Sequence, residues 1–304
     1  MSPDDMLIIK IPASTANLGP GFDSVGLALS LYLTLEAERS DRWEVIPLTD
    51  ELKAYPTDES NMMVAIALQT AAQFGKNLSP CKIRVMSEIP VARGLGSSAS
   101  AIVAGIELAN SLANLKLSNH EKLAIAAKIE GHPDNVGASI FGGLVIGSMS
   151  ESGIDVIHSN LVQFDVIAVV PKEELLTKES RGVLPNQLSF YDAVHAGAVG
   201  NVMVAALLSG DLKLAGKMMS QDLYHQPYRK KLVPYLEELE KMAPVRGAYG
   251  IALSGAGPTV ICLVESGKGQ ALLKRLQEEL PHLQFLHLTV DQGGSKVTQK
   301  RKVI

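Results

Sequence analysis

The sequence predicts a fold of interleaved strands and helices, arranged as two domains or as one large α/β unit. Three observations lead there. The chain has 304 residues, longer than a typical domain of ~150 and long enough to bury a large core. Runs with strand-like alternation and runs with helical spacing of apolar residues follow one another along its whole length. Between two such runs lies "PVARGLGSSAS", residues 90–100, two glycines among small and hydroxylated residues.

Taken in order, "MLIIKIPAS" is rich in β-formers and "VGLALSLYLTLEAER" alternates from Leu27 to Leu35, so both predict strands. "NMMVAIALQTAAQFGK" predicts a helix ended by Gly75, and "CKIRVMSEIP" a strand closed by Pro90. From Ser98 to Leu115, apolar residues recur at Ile102, Ile106, Ala109 and Leu112 with no proline. That spacing predicts a helix of about five turns. "SNHEKLAIAAKIEGH" starts a shorter helix at Ser118, with Glu121 placed to complete a capping box. "GGLVIGSM" and "FDVIAVVP" predict strands, and the polar, turn-rich "ESGIDVIHSN" between them marks a domain boundary, 1–157 against 158–295. The second half predicts helices in "DAVHAGAVGNVMVAALLSGD", "LKLAGKMM" and "RKKLVPYLEELEKM", then two strand-like pieces around a glycine turn in "GAYGIALSGAGPTVICLV". Residues 296–304 form a basic tail, and there is no internal repeat or low-complexity segment.

Composition narrows the function. The formal charge is −4 and, apart from the tail "KVTQKRKVI", Lys and Arg are scattered, so no nucleic-acid partner is expected. The two cysteines, Cys81 and Cys262, sit far apart in apolar strand-like settings, which suits core thiols in a reducing cytoplasm better than a disulfide or a metal site. Mean hydropathy is +0.15, yet no run of about 18 apolar residues occurs. The start "MSPDDMLIIK" lacks the basic head and apolar core of a signal peptide. A cytoplasmic protein with no membrane partner is expected.

A strand, a glycine-rich turn and a helix form a layout that binds phosphate: glycines let backbone approach, amides point inward, and the helix N-terminus adds partial positive charge. An anion is implied, with a polyphosphate the best fit. A Walker A loop needs a Gly-Lys-Ser/Thr ending, which occurs nowhere in the chain. "GLGSSA" does match the dinucleotide pattern G-x-G-x-x-A, but residues 113–122, "ANLKLSNHEK", are a helix end and the next cap instead of an acidic strand end. A glycine turn that merely packs a helix on a sheet stays open too, although it gives no reason for consecutive Ser97 and Ser98.

Three motifs now carry a resemblance. "PASTANLGPGFD", "PVARGLGSSAS" and "SGAGPT", spread over residues 12–259, resemble in kind and order the motifs of the GHMP kinases. Within that family, "NLGPGFDSVGLAL", "EGHPDNVGASIFGG" and "TKESRGVLP" are similar to the branch that phosphorylates homoserine. The resemblance implies an α+β fold of two domains, an N-terminal ATP-binding domain (1–157) with the phosphate loop and a ferredoxin-like C-terminal domain (158–295), with the active site in the cleft between them. It implies transfer of phosphate from ATP, with Mg²⁺, to the hydroxyl of L-homoserine, giving O-phospho-L-homoserine on the route to threonine. It also leaves room for a homodimer.

Site residues follow from the same resemblance. Pro90, Arg93, Gly94, Leu95, Gly96, Ser97, Ser98 and Ala99 would form the phosphate cradle, with Asn61 and Val64 on the adenine side and Ser98 with Glu130 as metal ligands. Arg181 and Arg229 would clamp the substrate carboxylate. Asn17 and Asp23 would meet the amino end, and His132, Asn135 and Thr177 would line the hydroxyl, with Gly255 closing over the reacting groups. Asn135, Arg181 and Thr177 are the implied catalytic residues. Read locally, several have plainer roles: Asn61 is a good helix cap, Glu130 a solvated helix-end acid, Arg229 part of the basic run "YRKKLVP", and "SGAGPT" a tight strand-to-helix turn. Thr177 and Arg181, at helical spacing, can face one site. Histidines such as His195 are expected to cap or pack.

Two details shape the expected chemistry. Only Gly131 separates Glu130 from His132, where several residues intervene in some relatives, which leaves the metal geometry open. Asn135 stands where sugar- and mevalonate-type relatives carry an Asp as base. Neighbouring Asp134 is not expected to substitute, because a loose phosphoryl-transfer transition state needs little prior deprotonation. A kinase of the same family acting on another small alcohol, and a nucleotide-binding sensor without turnover, remain alternatives. Intact Ser98 and Glu130 argue against the sensor.

Overall fold

A computed structural model describes residues 5–301. Along the chain come β1 (Asp5–Asn17), β2 (Gly21–Arg39), β3 (Glu44–Pro47), α1 (Met62–Gln73), β4 (Cys81–Ser87), α2 (Ser97–Leu112), α3 (Asn119–Glu130), α4 (Asp134–Phe141), β5 (Leu144–Ser150) and β6 (Gly153–Ser159). Then follow β7 (Phe164–Val170), α5 (Thr177–Arg181), α6 (Phe190–Ser209), α7 (Leu212–Met219), α8 (Gln226–Arg229), α9 (Leu236–Arg246), β8 (Ala248–Leu253), β9 (Val260–Glu265), α10 (Gly269–Glu279), β10 (Gln284–Thr289) and β11 (Lys296–Arg301).

The first sheet is organised by β2, whose 19 residues are long enough to pair with β1 along one edge and with β4 and β5 at different points of the other. Its order is β11-β1-β2-β4-β3, with β5 on β2 and β6 on β5. Register shifts at Pro12/Ala13 and Ala16/Asn17 end the ladder with Asn17 opposite Gly21, so the chain reverses sharply at 18–20. Behind this sheet, α2 buries Ile102, Ile106 and Ala109, the two isoleucines contributing roughly 2 kcal/mol each by removal from water. α3 begins with the reciprocal Ser118–Glu121 capping box that the sequence predicts and ends at Gly131, φ +94°.

The second sheet has the antiparallel order β10-β7-β9-β8, a β-α-β-β-α-β connection of the ferredoxin-like kind. On β7, Ile167 and Val169 face α9 and α10, while Val166, Ala168 and Val170 belong to the core shared with the first sheet. One apolar core therefore runs through both sheets, which fixes the cleft between them.

Several local expectations change. "ESGIDVIHSN" holds a turn only at Glu151–Ser152: Gly153–Ser159 form β6, a half-exposed strand paired with β5 from Leu144↔Ser159 to Ser150↔Gly153. The 157/158 boundary falls inside that strand, and the passage to the second sheet comes after it. The basic tail is a strand over its described part, since Lys296–Arg301 pairs antiparallel with β1 and returns the chain to the first sheet; residues 302–304 lie outside the described residues. "RKKLVPYLEELEKM" is split, because Pro234 disfavours a helical Val233, which sits at φ −133°, ψ 78°. "SGAGPT" joins strand to strand, β8 to β9, instead of strand to helix.

Candidate active site

The site is a cavity of about 400 Å³ whose lining runs from the β3, α1 and β4 region, past the start of α2, to the 17–23 turn, α5, Arg229 and the 255–257 turn. One end of it is the loop between β4 and α2, where the sequence predicts a phosphate cradle. Gly96, φ +74°, directly precedes α2, whose first amides open on the cavity. The glycines have a reason the sequence did not reveal. A Cβ on Gly94 would lie 2.4 Å from the Ser254 carbonyl oxygen and one on Gly96 2.2 Å from Ser14 Oγ, so the protein's own backbone and side chains already demand them. Ser254 Oγ donates to the Gly94 carbonyl at 2.5 Å and Ser14 N to that of Leu95 at 3.2 Å, pinning the loop to the 254–259 turn and to β1.

Ser98 and Glu130 do meet: Ser98 Oγ donates to Glu130 Oε2 at 3.3 Å. Burial pushes the Glu130 carboxyl up, against the pull of nearby His132. Ser97 is turned differently, its Oγ accepting from Ala92 N at 3.4 Å and closing the loop. Four cradle and adenine-side residues are not in the cavity wall. Leu95 and Val64 are fully buried in the core, because the apolar side chain of each motif turns away from the ligand space. Arg93 donates to the carbonyls of Pro171 and Lys172, bracing the loop against the segment after β7. Pro90 also lies outside the lining, whereas Gly94, Gly96, Ser97, Ser98 and Ala99 belong to it. Asn61 reaches the cavity, but its side chain caps α1 at Met63 N, 3.1 Å, and holds the Pro56 carbonyl, 2.8 Å.

At the acceptor end, Asn135 Oδ1 accepts from Ser14 Oγ at 3.0 Å. Asp134, 1 % exposed, takes His132 Nδ1 at 2.6 Å and Asn135 N at 2.6 Å on its Oδ1. Burial lowers the His132 pKa, but the hydrogen bond and charge of Asp134, with Asp23 and Glu130 beyond, outweigh it, and the imidazole is raised above its ordinary value. Ligand atoms of Asp23, His132 and Asp134 lie within 4.8 Å of one another, a set with metal-binding chemistry whose atoms are already engaged in these pairs. Thr177 opens α5 and lines the cavity one turn from Arg181.

Both arginines reach the cavity, and neither is a solvated surface group. Arg181 forms a two-pronged pair with Asp23, Nη2–Oδ1 2.6 Å and Nη1–Oδ2 3.0 Å. Arg229, expected locally on a basic face, is 1 % exposed. Its Nε donates to the Ser180 carbonyl and its Nη1 to the Gly255 carbonyl and His225 Nδ1. Among the described residues Nη2 takes no hydrogen-bond partner, which leaves that nitrogen for a ligand. Burial, helped by Arg181, lowers the Arg229 pKa to about 10, so it stays charged at neutral pH. Asn17 links the two sides, accepting from Asp23 N at 3.0 Å and donating to the Gly255 carbonyl at 2.9 Å. Asn17, Leu18 and Asp23 all have positive φ, 74°, 50° and 54°, backbone strain of the kind that over-determined functional turns retain.

Sequence reasoning passed over two residues here. Phe22 lies 5.3 Å from the guanidinium carbon of Arg181 and 5.3 Å from that of Arg229, so one ring attracts both cations and offsets their repulsion. His225 stacks on Phe22 at 5.3 Å. Burial pulls the His225 pKa down to about 4. The neutral ring donates from Nε2 to the Gly19 carbonyl, 3.0 Å, and accepts from Arg229 at Nδ1, 3.1 Å. Its spacing of four from Arg229 was the available signal. His195, by contrast, is exposed on α6 and neither caps nor packs. Of the apolar end of the cavity, with Val45, Leu52, Tyr55 and Met62 in its wall, the sequence marked only the start of α1, through Asn61 and Val64.

Comparison with known proteins accounts for this geometry. The GHMP kinases N terminal domain matches residues 61–143 and the GHMP kinases C terminal domain residues 203–282. A homoserine kinase of Bacillus licheniformis is 50 % identical over 301 residues, 99 % of this chain and 98 % of its own. One of Bacillus velezensis is 50 % identical over 298 residues, covering 98 % and 96 %. The crystal structure of homoserine kinase from Cytophaga hutchinsonii superposes with a TM-score of 0.84 at 29 % identity, over 98 % of this chain and 99 % of that one. Matched in both halves and aligned along nearly its whole length, the chain belongs to the GHMP kinases, in the homoserine kinase family.

Proposed function

We propose that this cavity transfers the terminal phosphoryl group of ATP to the side-chain hydroxyl of L-homoserine, giving O-phospho-L-homoserine. The observation that carries the reading is the Asp23–Arg181 pair beside Arg229, with Phe22 against both guanidinium groups. Fixed positive and negative groups side by side complement an amino acid zwitterion: its carboxylate takes Arg181 and Nη2 of Arg229, and its ammonium takes Asp23 with Asn17 beside it. A sugar offers neither charge.

Opposite these groups, the α2 amides from Ser97 onward receive the phosphates, their partial positive charge set against the charge that moves through the chain during transfer. The apolar end formed by Val45, Leu52, Tyr55 and Met62 suits an adenine ring. Two oxygens at 3.3 Å, Ser98 Oγ and Glu130 Oε2, are hard donors of the type a magnesium ion takes, and that ion, when bound, would neutralise phosphate oxygens. Glu130 would hold it as the carboxylate, the form that its burial disfavours and a cation beside it would favour.

Asn135, held by Ser14, and His132, held by Asp134, orient the acceptor hydroxyl, with Thr177 across from them. We do not assign Asp134 as the base: its Oδ1 holds His132 and Asn135, and a loose transition state needs little prior deprotonation. The hydroxyl proton leaves late, as bond breaking to the leaving oxygen runs ahead of bond formation, and passes to a phosphate oxygen. Catalysis here is positioning and electrostatics. The test is ADP release with ATP and Mg²⁺ over homoserine, threonine, mevalonate and galactose, with Arg181→Ala beside wild type. Turnover on homoserine that collapses in the variant is expected. Turnover confined to a non-amino-acid alcohol overturns the substrate assignment, and nucleotide binding without turnover on any of them overturns the kinase reading.

A further inference from the structure

Helix α5 carries Thr177 and Arg181, yet it has little apolar hold of its own. It spans Thr177–Arg181, with only Ser180 buried, and so short a helix is not stable by itself. Polar ties set its place. Beyond the Arg181–Asp23 pair, Ser180 Oγ donates to the Ala256 carbonyl at 2.6 Å, and the Ser180 carbonyl accepts from Arg229 Nε at 3.2 Å. Further ties hold the segment leading into the helix, and they come from the loop before α2.

One guanidinium makes most of them. Arg93 donates from Nε to the Pro171 carbonyl at 3.1 Å, from Nη2 to the Lys172 carbonyl at 2.7 Å and from Nη1 to the Val91 carbonyl of its own loop at 2.6 Å. The planar fork thereby locks the loop to the lead of α5. A second link passes through Ala92, held at φ +54°: its N–H donates to Ser97 Oγ at 3.4 Å, and its carbonyl accepts from Leu175 N at 3.3 Å. Leu175 stands two residues before Thr177. Ala92, Ser97, Leu175 and Thr177 line the cavity, whereas Arg93 does not, so it acts from behind the wall.

We propose that Arg93 is a positioning residue that couples the two ends of the cavity. Phosphate on the 94–98 loop fixes Ala92 and Arg93, these fix the lead of α5, and Thr177 and Arg181 are then set for the acceptor. The inference rests on the reading of the cavity as a site for ATP and homoserine. Each ligand restrains a segment that the other must also restrain, so each tightens the other, and linkage makes the two factors equal.

Calorimetry on the full chain tests this. Homoserine is titrated with and without saturating Mg²⁺ and β,γ-imido-ATP, and the nucleotide with and without homoserine. In wild type each ligand should tighten the other ~5-fold or more, by the same factor. Arg93→Met should bring that ratio below ~2-fold, and Arg93→Lys, a point charge that cannot span two carbonyls, should fall between. Should Arg93→Met melt below the titration temperature, Arg93→Lys decides. Arg246→Met removes an ion pair between α9 and α10, Nε–Oε1 2.7 Å to Glu279, outside the cavity wall; it should keep the wild-type ratio. A wild-type ratio of one overturns the inference, as does a ratio unchanged in both Arg93 variants or lost equally in Arg246→Met. Nucleotide binding with no homoserine binding in either condition overturns the substrate reading, and the inference falls with it; homoserine bound without coupling overturns the inference alone.

Discussion

Replacing each arginine by methionine should separate holding the fold from holding the substrate. In Arg229→Met the carbonyls of Ser180 and Gly255 and Nδ1 of His225 lose their donor in a place where water does not enter freely. At about 1–3 kcal/mol per orphaned buried acceptor, offset by releasing a desolvated cation, the net loss is about 3 kcal/mol. For a chain of this length that lowers Tm by ~5 °C. Arg181 and Asp23 are 37 % and 35 % exposed in their side chains, and such a pair contributes ~1 kcal/mol or less, so Arg181→Met should move Tm by no more than ~2 °C. If both arginines hold the substrate carboxylate as proposed, each variant loses a charged hydrogen bond to it, worth ~1.5–3 kcal/mol, and kcat/KM for homoserine should fall ~10–100-fold in each. Melting curves read the first effect and coupled ADP release the second. Equal Tm losses would refute the burial argument. An Arg229→Met enzyme within about threefold of wild-type kcat/KM would refute the assignment of Nη2 to the substrate.

Four further outcomes are expected. His225 has a folded pKa of about 4 against an ordinary 6.5, so between those values the unfolded chain binds a proton that the folded chain does not. Stability is then lost as pH falls through that window, by up to ~3 kcal/mol, and denaturant titrations of His225→Gln should lack that slope. Gly96→Ala places a Cβ 2.2 Å from Ser14 Oγ at φ +74°, costing at least ~1–2 kcal/mol; because Ser14 holds Asn135, kcat should fall beyond what the Tm change explains. Glu130→Gln and Ser98→Ala should raise the Mg²⁺ concentration for half-maximal activity, Glu130→Gln more, in a metal titration at fixed ATP. 4-Hydroxybutyrate, homoserine without its amine, should show kcat/KM lower by ~100-fold or more, and Asp23→Asn should narrow that gap.

What was legible in the sequence was what short-range chemistry decides. The Ser118–Glu121 box, the Ile102/Ile106 stripe and the glycine loop each lie within a few residues, and each forms where its pattern falls. β6 and β11 were illegible for the opposite reason. β6 alternates only briefly, Ile154 and Val156 half-buried on the core against exposed Asp155 and Ile157, a pattern too short to outweigh its polar, turn-forming flanks, and the basic strand β11 becomes a strand only by pairing with β1 at the far end of the chain. The site divides in the same way. The phosphate loop could be read, but that Leu95 and Val64 point into the core depends on which face of each motif the sheet covers. Arg229 sits in a run that reads as surface, and only the tertiary contacts with Ser180, His225 and Gly255 bury it. The apolar end of the cavity collects single residues from β3, the 50–55 segment and α1, and of these only the start of α1 lay in a segment the sequence marked.

The strained 17–23 turn ties these threads together. Asp23 and Arg181 satisfy each other when no ligand is present, so the pocket holds opposite charges without leaving either bare. A ligand with a carboxylate alone must break that pair and abandon Asp23, and a neutral alcohol gains nothing by breaking it. A zwitterion exchanges one ion pair for two. On the proposed assignment, selectivity for an amino acid would thus arise from what its competitors must leave unpaired. That requires Asp23 to stay put when Arg181 turns to the substrate, and the turn provides it: Asp23 N is held by Asn17, Asn17 by Gly255, and Gly255 by Arg229. The second arginine therefore supports the acid that pairs with the first, and the three residues with positive φ are the backbone's cost for placing that acid between them.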